Sequence, residues 1–289
     1  MNRSARFLVV LAVLASLAGV GCDKLKARDQ LNKGVQAYRG AQYDAAIEHF
    51  KNAVALDPSL SNARLFLATA YAQQCVSPDN MKYCNQAIDE FKTLLQKDPN
   101  DIGSLKGIAS LYYNMSGWVT GNSPEDTQKK LNLLDESKQY HDRVIKADPS
   151  DPEAYYSVAV IDWTESYKHR IDAMAANGQN ATGDAPFKDK KVCEQVKQEN
   201  DPLVQQGIDY LSKAIDLRKD YDDAMAYLNL VYRQKAYIEC GDQEAYKQDL
   251  ATADDWVTKT MATKRAKAEK QQGPGGIVLE QPKQGGSTQ

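Results

Sequence analysis

No stretch of this chain is both long and apolar enough to cross a bilayer as a helix. The one greasy run, Phe7 to Val20, holds fourteen residues, and a spanning helix needs about 20. A basic surplus is missing too: 36 Lys and Arg stand against 39 Asp and Glu, so a strongly cationic nucleic-acid binder is not expected. Neither CxxC nor CxxCH occurs among the five cysteines, which removes the signatures of thioredoxin-like redox chemistry and covalent haem attachment. The glycines form no phosphate-cradling loop. The three histidines, His49, His141 and His169, lack metal-ligand spacing. With no recognisable nucleophile and base, carboxylate pair or metal set, the chain is not expected to be an enzyme, and no cofactor is implied.

What is present suits one or two soluble domains with a real core: 42% hydrophobic and 26% charged over 289 residues. Arg3 and Arg6, then the short apolar run, then small residues describe an export signal. Ala18, Gly19, Val20 and Gly21 before Cys22 resemble a bacterial lipobox, with Gly19 standing where the family usually has Leu. That resemblance implies a signal peptide over 1–21, cleavage before Cys22, diacylation of Cys22 and a short tether over 22–26. The other reading is an ordinary signal cut elsewhere, with Cys22 left as a thiol. Cleavage before Cys22 leaves 34 basic against 39 acidic residues, a net charge of −5, spread along the chain where it serves solubility. Cys75, Cys84, Cys193 and Cys240 remain, an even number in an exported chain, so two disulfides are expected.

Internal similarity is the strongest signal. The segments YDAAIEHFKNAVALDP (43–58), CNQAIDEFKTLLQKDP (84–99), ESKQYHDRVIKADP (136–149) and VQQGIDYLSKAIDLRKD (204–220) superimpose. Asp-Pro after each of the first three stops a helix, because proline cannot continue it and restrains the residue before. Upstream of each lies a second amphipathic segment, and a fifth begins at AMAYLNLVYRQKAYIE. Small residues at Gly34, Ala68, Ala109 and Ala159 allow paired helices to approach, with Tyr71 and Tyr112 three residues beyond the middle two. Ala46 with Phe50 and Ala87 with Phe91 supply small and large partners on the second helices. Ser123-Pro124, Asp151-Pro152 and Asp201-Pro202 each read as an N-cap followed by a proline at the first helical position.

This pattern resembles the tetratricopeptide repeat, a helix-turn-helix unit of 34 residues. The resemblance implies an all-α, right-handed α-solenoid over 27–270, of about five units: 27–60, 61–101, 102–151, 152–221 and 222–270. The first unit matches through Gly34, Tyr38, Ala46, Phe50, Ala53 and Pro58. Later units depart from the pattern: Ser137 replaces the small Ala, His141 the large aromatic, and Lys219 stands where the terminal proline belongs. Insertions fall at 72–86, 115–130 and 175–200, at hairpin tips, where length is tolerated and recognition often resides. In this layout Cys75 and Cys84 close one tip, while Cys193 and Cys240 lie at helix ends that meet, which favours those two pairs over the alternatives. A polar helix over 254–272 caps the solenoid, and 271–289 reads as a disordered tail whose Ile277, Val278 and Leu279 are its only apolar cluster.

Arrays of this family present a concave groove, lined by first helices, to a peptide of another protein. Carrying the groove positions over gives Leu31, Val35, Tyr38 and Arg39; Asn62, Leu65, Thr69 and Gln73; Lys106, Ser110, Tyr113 and Asn114; Tyr156, Val160 and Trp163; and Leu230 and Arg233. The lysine and asparagine set that clamps a C-terminal carboxylate in chaperone-binding members is missing, and the aromatic and aliphatic character suits an apolar or amphipathic peptide. The sequence therefore predicts a lipid-anchored scaffold on the periplasmic side of a bacterial envelope, gathering protein partners close to the bilayer. Lys24, Lys26 and Arg28 would lie near lipid headgroups. Tetratricopeptide lipoproteins that act as secretin pilotins or in outer-membrane protein assembly are similar in plan. Asp23 would favour the inner membrane under the enterobacterial sorting rule, which does not hold in all bacteria. The alternative is an envelope carrier or sensor for a soluble peptide or a peptidoglycan fragment.

Overall fold

A computed structural model describes residues 22–121, 123–180 and 185–272. The signal segment 1–21, residue 122 of the second insert, residues 181–184 of the third, and 273–289 of the tail lie outside the described residues. The described residues form helices α1 (22–39), α2 (Tyr43–Leu56), α3 (Ser61–Gln74), α4 (Met81–Lys97), α5 (Ile102–Gly117), α6 (Pro124–Ala147), α7 (Pro152–Ala176), α8 (Lys190–Leu217), α9 (Asp222–Tyr237) and α10 (Gln243–Gln272), with a 3₁₀ turn at Pro78–Asn80. The fold is all-α and tetratricopeptide-like, a succession of helix hairpins. Contacts divide it into two compact units, one up to Val158 and one from Ala159, the division falling within α7.

In the first unit the apolar stripes explain the pairing. Ala46, Ile47, Phe50 and Ala53 are the buried residues of α2, and Ala87, Ile88, Phe91, Leu94 and Leu95 repeat the stripe on α4. That spacing lines one face of a helix and leaves the opposite face polar. Each buried Phe contributes roughly 1.5–3 kcal/mol through the area it removes from water. Gly34 lets Phe50 in: a Cβ there would collide with the Phe50 ring, whose other side stacks on Phe66 at 5.5 Å.

The links between hairpins share one geometry. Asp57, Asp98 and Asp148 follow their helices at φ/ψ of −140/90, −133/98 and −137/89. Each Oδ1 accepts the backbone N–H two residues on, from Ser59, Asn100 and Ser150, at 3.0 Å. Proline fixes the residue between, and the carboxylate does the work of a turn. Hydroxyl bonds from Ser59 and Ser150 hold the Asp57 and Asp148 carboxyls below their ordinary range. The fourth link, in the second unit, has neither residue, yet Arg218 takes φ/ψ of −134/93 and accepts the N–H of Tyr221 at 3.0 Å. Its guanidinium lies 4.4 Å from the Tyr221 ring centroid.

The departures at 137 and 141 are absorbed differently. Ser137 is buried and donates its hydroxyl to the Ala109 carbonyl at 2.8 Å. His141 is buried with Nδ1 unpartnered, and burial pushes its pKa down to about 4.

In the second unit Leu211 stands at the repeat position of Phe50 and Phe91, and the interior also holds a polar network. Asn200 donates to the Ser166 carbonyl at 2.8 Å and its Oδ1 meets His169 Nδ1 at 3.0 Å. Buried Arg170 donates to Gln234 Oε1 at 3.0 Å and lies 4.7 Å from the Tyr237 ring centroid, so the burial of charge is offset by hydrogen bonding and ring contact. One expectation is corrected here. Asp201-Pro202 does not start a helix: α8 begins at its Asp189 cap, whose carboxylate accepts from Lys191 and Val192, and runs through Pro202. The anchored Asn200 and the bonded Cys193 hold the chain helical on the N-terminal side of that proline. The caps at Ser123 and Asp151 form as read, accepting from Asp126 and from Glu153 and Ala154.

Two disulfides form: Cys75–Cys84 closes a hairpin tip with Cα atoms 4.9 Å apart, and Cys193–Cys240, at 5.4 Å, ties the start of α8 to the end of α9. Much of each predicted insert is helix rather than loop. The second reduces to residues 118–123 between α5 and α6, and the third to 177–189 between α7 and α8. Residues 22–26, read as a tether, are the first turns of α1.

Candidate functional site

The first-helix face of the first unit is built from α1, α3 and α5. On α1, Leu31, Val35 and Tyr38 are half-buried against the core, while Arg39 is exposed. On α3, Asn62 and Gln73 are exposed, and Leu65 and Thr69 half-buried, the Thr69 hydroxyl donating to the Leu65 carbonyl at 2.8 Å. On α5, Ser110, Tyr113 and Asn114 are exposed. Lys106 is engaged elsewhere, paired with Asp151 and with Glu153 at 3.5 Å. The Tyr38 phenol shares a hydrogen bond with the Gln73 side chain; its pKa is raised, chiefly by burial. Burial also raises the pKa of Tyr113.

Three of these residues come together. Gln73, Tyr113 and Asn114 line a concavity of about 560 Å³ with Ala72, Cys75, Val76, Gly117 and Trp118. It lies where α3 and α5 end, and its described lining carries no charged side chain. Val76 is 67% exposed there. The position follows from local rules: α3 stops at Gln74, the Cys75–Cys84 bond turns the chain, and α5 ends one residue before Trp118, whose N–H bonds back to Met115 at 3.2 Å. Val76 and Trp118 escape a reading by repeat position because they lie in insertions. An unpaired apolar residue in each insert, in CVSPDN and SGWVTGN, is the signal that points to them.

The positions from later units behave otherwise. Val160 is 5% exposed and packs in the interior, so it offers a partner almost no surface. Trp163 is half-buried, stacked on Tyr167 at 5.3 Å and edge-on to Tyr227 at 5.6 Å. Arg233 is held by Asp254 of α10 at 2.6 Å and by Asn229 at 2.9 Å. Tyr156 and Leu230 are half-buried. Cys22 is the free cysteine of the described residues, exposed at the start of α1 beside Leu25, itself 72% exposed.

Among the described residues no three or more His, Cys, Asp or Glu side chains are placed to hold a metal ion. No helix among them is long and apolar enough to cross a membrane.

No protein-family profile matches the chain, and no characterised protein matches it by sequence. Solved structures do. MamA 41-end from Desulfovibrio magneticus RS-1 is similar at 15% identity over 83% of this chain and 96% of that one, with a TM-score of 0.52. The MamA RS-1 ArsTM double mutant is similar at 15% identity over 84% and 97%, with a TM-score of 0.54. TTC0263, a thermophilic TPR protein of Thermus thermophilus, aligns at 16% identity over 84% and 97%, with a TM-score of 0.42. At such identities the MamA likeness establishes a shared fold.

Proposed function

We propose that this protein is a lipid-anchored scaffold of the bacterial cell envelope, which holds a segment of a partner protein on the first-helix face of its N-terminal unit. The observation that carries the reading is the uncharged concavity at Gln73, Tyr113 and Asn114, with Val76 exposed at its edge. A concave, uncharged surface that mixes Val76 and the Tyr113 and Trp118 rings with the amides of Gln73 and Asn114 suits an amphipathic peptide, the side chains supplying affinity and the amides register. Holding a peptide in this way requires no bond making or breaking.

The anchor belongs to the same reading. The signal pattern ends at Cys22, and Cys22 is exposed at the start of a helix. An acylated Cys22 would hold the α1 end at the bilayer with no slack chain between, so partners would be gathered at the membrane surface. Support of envelope-complex assembly, as by pilotin-like or outer-membrane assembly lipoproteins, is the cellular role this arrangement suits.

The test is an in-cell crosslinking pull-down of the full-length protein beside a Cys22→Ala variant and a Tyr113→Ala, Asn114→Ala variant, with mass spectrometry of the captured proteins. The reading expects one membrane-complex subunit to be captured by the native chain and lost from both variants. The same capture from all three would overturn it.

A further inference from the structure

A second cavity shares Trp118 with the first. It measures about 480 Å³ and is walled by Met81, Met115, Trp118, Val119 and Leu133, with Asn85, Thr120, Asp126 and Lys129 among its polar lining. Its walls come from both inserts of this unit: Pro78 lies between α3 and α4, Met81 opens α4, and the segment between α5 and α6 supplies Trp118 to Gly121. Trp118 lines both cavities.

The tip is held in place. The Cys75–Cys84 bond ties the first insert. Ser123 caps α6 by accepting the Asp126 N–H at 3.1 Å and donates to Asp126 Oδ2 at 2.6 Å. Gly121 lies so close to the Asp126 carboxylate that a Cβ at 121 would collide with it. Such a cavity is within the usual size of ligand sites, and it needs little reorganisation to be filled.

Its chemistry selects the occupant. Two thioethers, an indole and a leucine make an adaptable apolar wall that takes flat or branched groups. Asp126 and Lys129 contribute one charge of each sign, so the polar lining carries no net charge, and neither a cationic nor an anionic group gains from entering. Asn85 and Thr120 offer amide and hydroxyl partners to a main chain. We propose that this cavity is a second subsite for the partner segment, taking one uncharged aromatic or branched aliphatic side chain while its flanking amides cross Trp118 from the neighbouring concavity. The inference rests on the reading of the first-helix face as a peptide-binding surface.

The test uses the chain from Cys22 to Gln289 and three capped amino acids, N-acetyl-phenylalaninamide, N-acetyl-leucinamide and N-acetyl-lysinamide, followed by saturation-transfer NMR. Thr120→Trp places a bulky ring at an exposed position of the lining and fills the cavity. Asp89→Ala, at an exposed position of α4, touches the lining of neither cavity. Transfer to the phenylalanine and leucine probes, reduced about tenfold by Thr120→Trp, unchanged by Asp89→Ala and absent for the lysine probe, is the expected result. Equal transfer in Thr120→Trp, or a lysine probe that binds as well as the other two, would overturn the assignment. Because single capped residues do not span the groove, probe binding without partner capture would reject the groove reading alone.

Discussion

Gly107 of α5 lies against the ring of Phe91 of α4 so closely that a Cβ at 107 would stand 2.6 Å from two ring atoms. Packing between successive hairpins of the first unit depends on that missing side chain. Gly107→Ala gains roughly 1 kcal/mol of helix propensity but overpacks a buried ring at a cost of about 1–3 kcal/mol. The expected net effect is a lower urea midpoint. Gly103→Ala on the same helix, where the nearest atom is 3.6 Å away, should raise it. A stabilised Gly107→Ala would show that Phe91 can move aside.

His141 makes stability depend on pH. Its ring is buried, with the Lys106 ammonium reinforcing the downward shift and Asp151 opposing it. The unfolded chain takes up this proton near 6.5 and the folded chain near 4. The contribution of the neutral ring is therefore whole above pH 6.5 and is lost as pH falls toward 4, by about 3 kcal/mol. His141→Phe, restoring the large aromatic that Phe50 and Phe91 supply in the first two hairpins, should flatten that dependence. Urea melts at pH 7.5 and 4.5 decide it: an unchanged difference between the two would show that His141 is not the source.

The two disulfides should differ in weight. Cys75–Cys84 closes a loop of nine residues' separation and Cys193–Cys240 one of 47. Loop-closure entropy gives about 3 kcal/mol for the first and about 4 kcal/mol for the second as upper values. The Cys193→Ser, Cys240→Ser pair should lower the melting temperature more than the Cys75→Ser, Cys84→Ser pair. The reverse order would locate the more important constraint at the smaller tip.

Lys219→Pro should be tolerated. Arg218 before it already holds the extended conformation of Asp57, Asp98 and Asp148, which is the region a residue before proline prefers. The side chain of Lys219 makes only an exposed pair with Asp216 at 2.9 Å, worth little. A gain of about 0.4–1 kcal/mol is expected from the stiffer unfolded chain, read as a raised melting temperature. A loss would mean that the fourth link differs from the other three at residue 219.

The hairpins were legible because their small and large residues recur at fixed offsets and Asp-Pro marks three of the links. The fourth link hid from sequence because a main-chain bond and the contact of Arg218 with the Tyr221 ring stand in place of an aspartate side chain and a proline. Asp201-Pro202 misled in the opposite sense: a good cap and a good first-turn proline lost to the tertiary hold on Asn200 and Cys193. Of the residues placed by repeat position, Gln73, Tyr113 and Asn114 share one concavity, whereas Val160 is buried, since repeat register says which way a side chain points and not what covers it. Val76 and Trp118 have no repeat position at all.

The most direct test of the central claim is site-specific photocrosslinking in cells, with p-benzoylphenylalanine at Asn114 in the groove-end concavity and at Asp89, exposed on second helix α4, in the full-length chain. The account predicts one discrete protein adduct from position 114 and none from 89. Adducts from 89 alone, or the same adduct from both, would contradict a partner-binding face on the first helices.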